Sequence, residues 1–167
     1  MTKRELERTL QPSVLDRLTD VDPRRPADAQ VSYAESLTAF KAAVQRDLEW
    51  LLNTRRAAAT IAVDEFEELR KSLYQFGMPD ISSMSGDSNS TRQELLLEVE
   101  ETLAIFEPRL EQVRISIVEV DGELHRRELR FVLEATLRLD PTPEHVTFDT
   151  VLHFASGEIN VSGARNA

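Results

Sequence analysis

At Pro108 the hydrophobic period of the chain changes, and this change constrains the fold more than any other feature. Before it, Leu95, Leu96, Val99, Leu103 and Phe106 fall within about 100° of arc on a helix of 3.6 residues per turn. That spacing predicts a helix over residues 92–106 with one buried face. Thr91 and Glu94 have the separation of a capping box, in which the hydroxyl accepts from the later amide and the carboxylate reaches back. Pro108 disfavours helical backbone at Glu107 and donates no N–H, so the helix is expected to stop at Phe106. Beyond the proline, Val113, Ile115 and Ile117 alternate with polar residues, the period of a strand. Val118 and Val120 then take the opposite parity, which predicts a bulge or an edge strand leaving the core. After an Asp121-Gly122 turn, Leu129, Phe131, Leu133, Ala135, Leu137 and Leu139 give the clearest strand, ended by Pro141 and Pro143. Val146, Phe148, Leu152 and Phe154 share a parity in a third strand, and Ile159 and Val161 mark a short fourth after the Ser156-Gly157 turn.

The first half of the chain reads as helical. Over residues 35–54, Leu37, Phe40, Val44, Leu48, Leu51 and Leu52 form one stripe. Trp50 falls almost opposite it and is either covered by the N-terminal segment or exposed as an anchor for a partner, a role in which tryptophan is enriched. Residues 64–76 repeat the helical pattern more weakly through Phe66, Leu69 and Leu73, with Gly77 placed for a left-handed C-terminal position. Ser13 precedes an apolar triad, Val14, Leu15 and Leu18, and predicts one or two helical turns. Residues 20–32 read as a linker and 82–90 as a serine-rich loop. Helices first and an antiparallel meander afterwards define an α+β fold, N-terminal helices packed on a small sheet of three to four C-terminal strands. The expected organisation is an arm with a short helix and linker over residues 1–34, one α+β domain over 35–162, and a disordered tail over 163–167.

Composition narrows the function. The chain has no cysteine, which removes thiolate catalysis, disulfides and cysteine-containing zinc sites. A formal charge of -10 argues against a nucleic-acid backbone as partner. The first ten residues are too charged for a signal peptide, and no apolar run approaches the ~20 residues of a membrane span, so no membrane insertion is expected. Carboxylates crowd the region of Pro108 (Glu98, Glu100, Glu101, Glu107 and Glu111), yet nothing isolates one in an apolar pocket to make a general acid. His125, His145 and His153 lack the spacing of a metal site. No catalytic, cofactor-binding or metal-binding residue is expected; the chain reads as a contact protein rather than an enzyme. Glu107 and Arg109, opposite charges across a rigid proline, are either a docking point or an internal bridge from helix to sheet. On the docking reading Arg109→Ala folds normally and loses its partner; on the internal reading it unfolds.

Five stretches also resemble a known family. Residues 13–18 (SVLDRL), 47–56 (DLEWLLNTRR), 76–80 (FGMPD), 106–110 (FEPRL) and 148–150 (FDT) are similar, in this order, to the TssE family of type VI secretion baseplate subunits. That family is related to the lysozyme-like-named wedge protein of contractile phage tails. The resemblance covers residues 13–161, with Ala57 where relatives often have proline and Met78 where they often have leucine. It implies a non-enzymatic cytoplasmic subunit, in a baseplate docked at the inner-membrane complex, that links the wedge to the sheath and initiates sheath polymerisation. The implied partners are the wedge proteins TssF and TssG, the sheath proteins TssB and TssC, and further TssK and the spike VgrG. Glu107, Pro108 and Arg109 would dock onto the wedge core with Trp50 as an anchor. Strand exchange with the sheath would use an edge strand, either residues 113–120 or Glu158, Ile159, Asn160, Val161 and Ser162. The alternatives are a peptidoglycan-cleaving lysozyme-like glycosidase and a wedge protein of a contractile phage tail.

Overall fold

The computed structural model describes residues 10–19, 32–57, 65–81, 88–119, 127–140 and 142–166. The Asp121-Gly122 turn, most of the 20–32 linker, and residues 82–87 of the expected loop lie outside this set. Helices α1 (Val14–Leu18), α2 (Tyr33–Asn53), α3 (Glu67–Arg70) and α4 (Asn89–Phe106) precede four strands, β1 (Leu110–Val118), β2 (Glu128–Leu137), β3 (Glu144–His153) and β4 (Glu158–Asn166). The strands form one antiparallel sheet in the order β1-β2-β3-β4, so the fold is α+β, as the change of period requires. The chain divides into two compact units, Met1–Val44 and Gln45–Ala167.

In the first unit the Ser13 hydroxyl caps α1 by accepting from the Asp16 amide at 3.1 Å, and Val14, Leu15 and Leu18 are all exposed. A capping box that the sequence reading did not anticipate opens α2. The Ser32 hydroxyl accepts from the Glu35 amide at 3.3 Å, and the Glu35 carboxylate accepts from the Ser32 amide at 2.9 Å. The Ser32 backbone bond, followed by the bond from its hydroxyl, holds the Glu35 carboxyl below its ordinary range.

The second unit holds the sheet. Leu129, Phe131, Leu133, Ala135 and Leu137 of β2 line one face with Val146, Phe148 and Leu152 of β3 and Ile159 and Val161 of β4, all buried. Leu48, Leu51 and Leu52 of α2 and Leu95, Val99 and Leu103 of α4 are buried as well. Helix α4 lies against β1. Its end is as expected: Glu107 leaves helical geometry at φ -122°, ψ 73° while its amide still donates to the Leu103 carbonyl at 2.9 Å. Its start is not. Helix α4 begins at Asn89 behind Ser88 without a side-chain cap, and Thr91 lies within its first turn, so the Thr91–Glu94 capping box does not form.

Three further expectations are corrected. The bulge in β1 lies at Gln112, not at Val118, while the other expected form is met: β1 is an outer strand whose Val118 is exposed, and Val120 lies outside the described residues. Leu110 opposes Leu137 and Ile115 opposes Leu133, so β1 spends one residue more than β2 over this stretch. Gln112 takes it up as a bulge with φ 53°, which keeps Leu110 and Ile115 on the same face despite their opposite sequence parity. Residues 65–76 are not one helix: α3 has a single turn and a 3-10 turn follows over Leu73–Gln75. The Ser72 hydroxyl separates them, donating to the Leu69 carbonyl at 2.8 Å and accepting from the Tyr74 amide at 3.3 Å, and Phe66 and Leu73 are exposed rather than a core stripe. Finally, β4 runs on to Asn166 through residues read as a tail.

Gly77 has positive φ, as expected, but for another reason. Met78 pairs in parallel with the segment after α2: its amide donates to the Thr54 carbonyl at 2.8 Å and its carbonyl accepts from the Arg56 amide at 2.9 Å. At φ +103° a Cβ on Gly77 would stand 2.2 Å from the Thr54 oxygen, so the two backbones approach this closely only through glycine. The stretches that carry the family resemblance therefore meet at structural joints. Arg55 pairs with Asp80, Phe76 packs edge-on against Phe106 at 5.4 Å, and Asp47 reaches Arg109. Two acids on the polar face of α4 also serve here rather than facing only solvent: Glu98 holds Arg56 at 2.6 Å and Glu101 holds Arg70.

Candidate functional site

The Glu107-Pro108-Arg109 corner is fixed by its own side chains. Glu107 is the only buried acid among the described residues. Its Oε1 accepts from Arg109 Nε at 2.6 Å, its Oε2 accepts from Arg109 Nη2, and Oε1 also takes the Arg109 amide at 3.3 Å. The planar fork of the guanidinium matches the two oxygens of the carboxylate, so the pair is bidentate and rigid. Pro108 sits between the two with little torsional freedom and is exposed. Arg109 Nη2 donates in addition to Asp47 Oδ2 on α2 at 2.8 Å. The Glu107 bonds, against the opposing effect of burial, raise the Arg109 pKa beyond its already high ordinary value, with Asp47 adding to the rise. Arg109 is thus a permanent cation held between two carboxylates.

The last two and a half turns of α2 organise everything else. Asp47 holds Arg109 on one flank. On the other, the Gln45 and Asn53 side chains bond to β4: Gln45 Nε2 donates to the Val161 carbonyl at 2.9 Å, Asn53 Nδ2 donates to the Ile159 carbonyl at 2.7 Å, and Asn53 Oδ1 accepts from the Ile159 amide at 2.8 Å. Trp50 points outward and is 65% exposed. At about 100° per residue it lies roughly 60° around the helix from Asp47 on one side and from Asn53 on the other. The structure thus brings Trp50, the Glu-Pro-Arg corner and the start of β4 to one helical segment.

Within residues 158–162, Glu158, Asn160 and Ser162 are exposed while Ile159 and Val161 point into the core. Ser162 Oγ donates to the Asp149 carbonyl at 3.1 Å. Both edge strands proposed from the sequence are the outer strands of the sheet. Asp47, Gln45 and Asn53 were not singled out. Asp47 and Asn53 sit inside a family-like stretch, but their partners lie 62 and 106 residues away, and only the folded chain joins them.

An exposed aromatic beside a rigid charged corner, on helices that precede a four-stranded antiparallel sheet, marks the protein as one of the α+β class. The baseplate wedge protein gp25 family matches residues 38–142, well over half of the chain, and the protein belongs to that family of structural baseplate components. The match takes in Asp47, Trp50 and the Glu-Pro-Arg corner and ends before β3. Comparison with curated proteins and with solved structures gives no match. No helix among the described residues is long and apolar enough to cross a membrane.

Proposed function

We propose that the protein is the baseplate subunit of a type VI secretion machine that joins the wedge complex to the sheath and starts sheath polymerisation. The observation that carries this reading is the corner itself: Glu107 and Asp47 lock Arg109 in place one helical turn from the outward Trp50. A surface rigid before contact loses little conformational entropy when a partner covers it, which suits Pro108, Arg109 and Trp50 to docking on the wedge proteins TssF and TssG. Glu107, being buried, acts through Arg109 rather than by touching the partner. The sheet edges, β1 or residues Glu158 to Ser162 of β4, offer main-chain pairing to a strand of the TssB–TssC sheath. TssK and VgrG are neighbours in the same cytoplasmic baseplate, docked at the inner-membrane complex.

Co-expression with TssF and TssG, and separately with TssB and TssC, followed by size-exclusion chromatography tests the reading. Co-elution with both pairs is expected, and Trp50→Ala should weaken the wedge complex while sparing the sheath complex. Elution apart from both pairs refutes the assignment. The family match fits a contractile phage-tail wedge equally, and co-elution with phage wedge and sheath proteins instead would select that alternative. A peptidoglycan-cleaving role is disfavoured because Glu107 spends both oxygens on Arg109 and is in no position to donate a proton. Release of muropeptides by the purified protein would reverse that conclusion.

A further inference from the structure

The outward face of α4 carries apolar side chains that the fold does not use. Leu97 lies roughly 160° around the helix from both Leu95 and Val99, at about 100° per residue, and is 65% exposed while they are buried. Ala104, two turns further on, shares its stripe and is exposed as well. Phe66 and Leu73, the exposed apolar residues on either side of α3, come to the same place. Arg70 pairs with Glu101, and Phe76 packs against Phe106 at 5.4 Å, so residues 66–76 run beside the second half of α4 in the same direction. Phe66 and Leu97 each stand one turn before the Arg70–Glu101 pair, and Leu73 and Ala104 each stand three residues after it. Leu73 is 86% exposed. Single exposed apolar residues need no cause, but four at two adjoining levels form a patch.

Between the two levels Arg70 and Glu101 neutralise each other, so the patch alternates apolar, neutral and apolar. Its levels are seven residues apart on α4, about 10 Å at 1.5 Å per residue. A helix laid alongside presents side chains at that interval from positions i and i+7. A strand does not, because its residues return to one face at about 7 Å and again at about 14 Å. The borders of the patch are acidic. Glu94 and Glu100 lie about 60° to either side of Leu97, and both are exposed. On the α3 side Glu67 and Glu68 are exposed, and Lys71 is held by Glu67 at 2.5 Å.

We propose that this face of α4 and α3 docks an amphipathic helix of a partner protein, with aliphatic side chains at i, i+3, i+4 and i+7 and lysine or arginine flanking them. The aliphatic residues would cover Phe66, Leu73, Leu97 and Ala104, and the bases would face Glu68, Glu94 and Glu100. Nuclear magnetic resonance on the full chain, titrated with a synthetic helical peptide of leucine and lysine in that spacing, tests the proposal. The amides of residues 66–73 and 97–104 are expected to shift. Leu97→Ser and Leu73→Ser should each weaken binding by at least about tenfold, the affinity equivalent of burying one aliphatic side chain, at an unchanged melting temperature. Replacing Glu94 and Glu100 together by lysine should weaken binding and flatten its dependence on salt. A peptide of the same composition with leucine and lysine in strand alternation should not bind, and neither should a helical leucine–glutamate peptide. Equal binding by either control peptide overturns the assignment, as do wild-type affinity in both leucine variants, shifts centred on Trp50 and Arg109, and no binding at all. Shifts of the same residues that grow with protein concentration in the absence of peptide also overturn it, since the occupant is then a second copy.

Discussion

Because Arg109 is bonded within the chain to Glu107 and Asp47, the expectation that Arg109→Ala folds normally is corrected: the substitution should destabilise the fold, and docking is tested at Trp50 instead. The substitution removes the bidentate bond to Glu107 and the bond to Asp47, and leaves the Glu107 carboxylate, only 5% exposed, without its cation. Removing one partner of a buried ion pair costs about 3–5 kcal/mol when the remaining charge stays dry. The Arg109 side chain is 25% exposed, so water can reach the vacated space and reduce this. A loss of about 2–3 kcal/mol is therefore expected, a fall of roughly 5–10 °C in melting temperature for a chain of this size. Thermal melts followed by circular dichroism decide the matter, and an unchanged melting temperature would refute the account of Glu107 as a buried carboxylate dependent on Arg109. The double variant Glu107→Leu, Arg109→Met should recover most of the stability, since two apolar groups leave no charge to satisfy.

Gly77→Ala should lower stability by more than about 1 kcal/mol, because the added carbon meets the Thr54 oxygen and alanine resists the positive φ; a melt within a degree of the parent would contradict the close approach. The Ser32–Glu35 capping box makes a pH-dependent contribution: with the Glu35 pKa lowered, its stabilisation is complete above the unfolded value and disappears as the pH falls through the folded one. Far-ultraviolet circular dichroism should show part of the acid-induced helix loss vanish in Glu35→Gln, which removes the titrating carboxyl, and an identical titration of both proteins would argue that the box contributes nothing. Trp50, the sole tryptophan, should emit at a water-exposed wavelength in the free protein and shift to the blue when the wedge proteins bind. Trp50→Ala should leave the melting temperature unchanged, and a large fall would assign the residue to the core.

The sequence by itself determined the elements that depend on period and on proline. Alternation on β2 and β3 placed their apolar residues on one face, and Pro108 ended α4 where expected, because these effects act over a few residues. Local hydrogen-bond choices were less legible. Both Ser32–Glu35 and Thr91–Glu94 carry capping-box spacing, yet only the first forms, since α4 instead begins behind Ser88. Ser72 broke a helix whose apolar spacing alone was acceptable, because its hydroxyl offered the backbone an alternative partner. Tertiary structure alone decided the site. It buried Glu107, recruited Asp47 to Arg109, and set Asn53 and Gln45 against β4, contacts between residues 62 to 116 positions apart. Sequence periodicity carries no information about such pairs, because their geometry exists only after the sheet has fixed where each element ends.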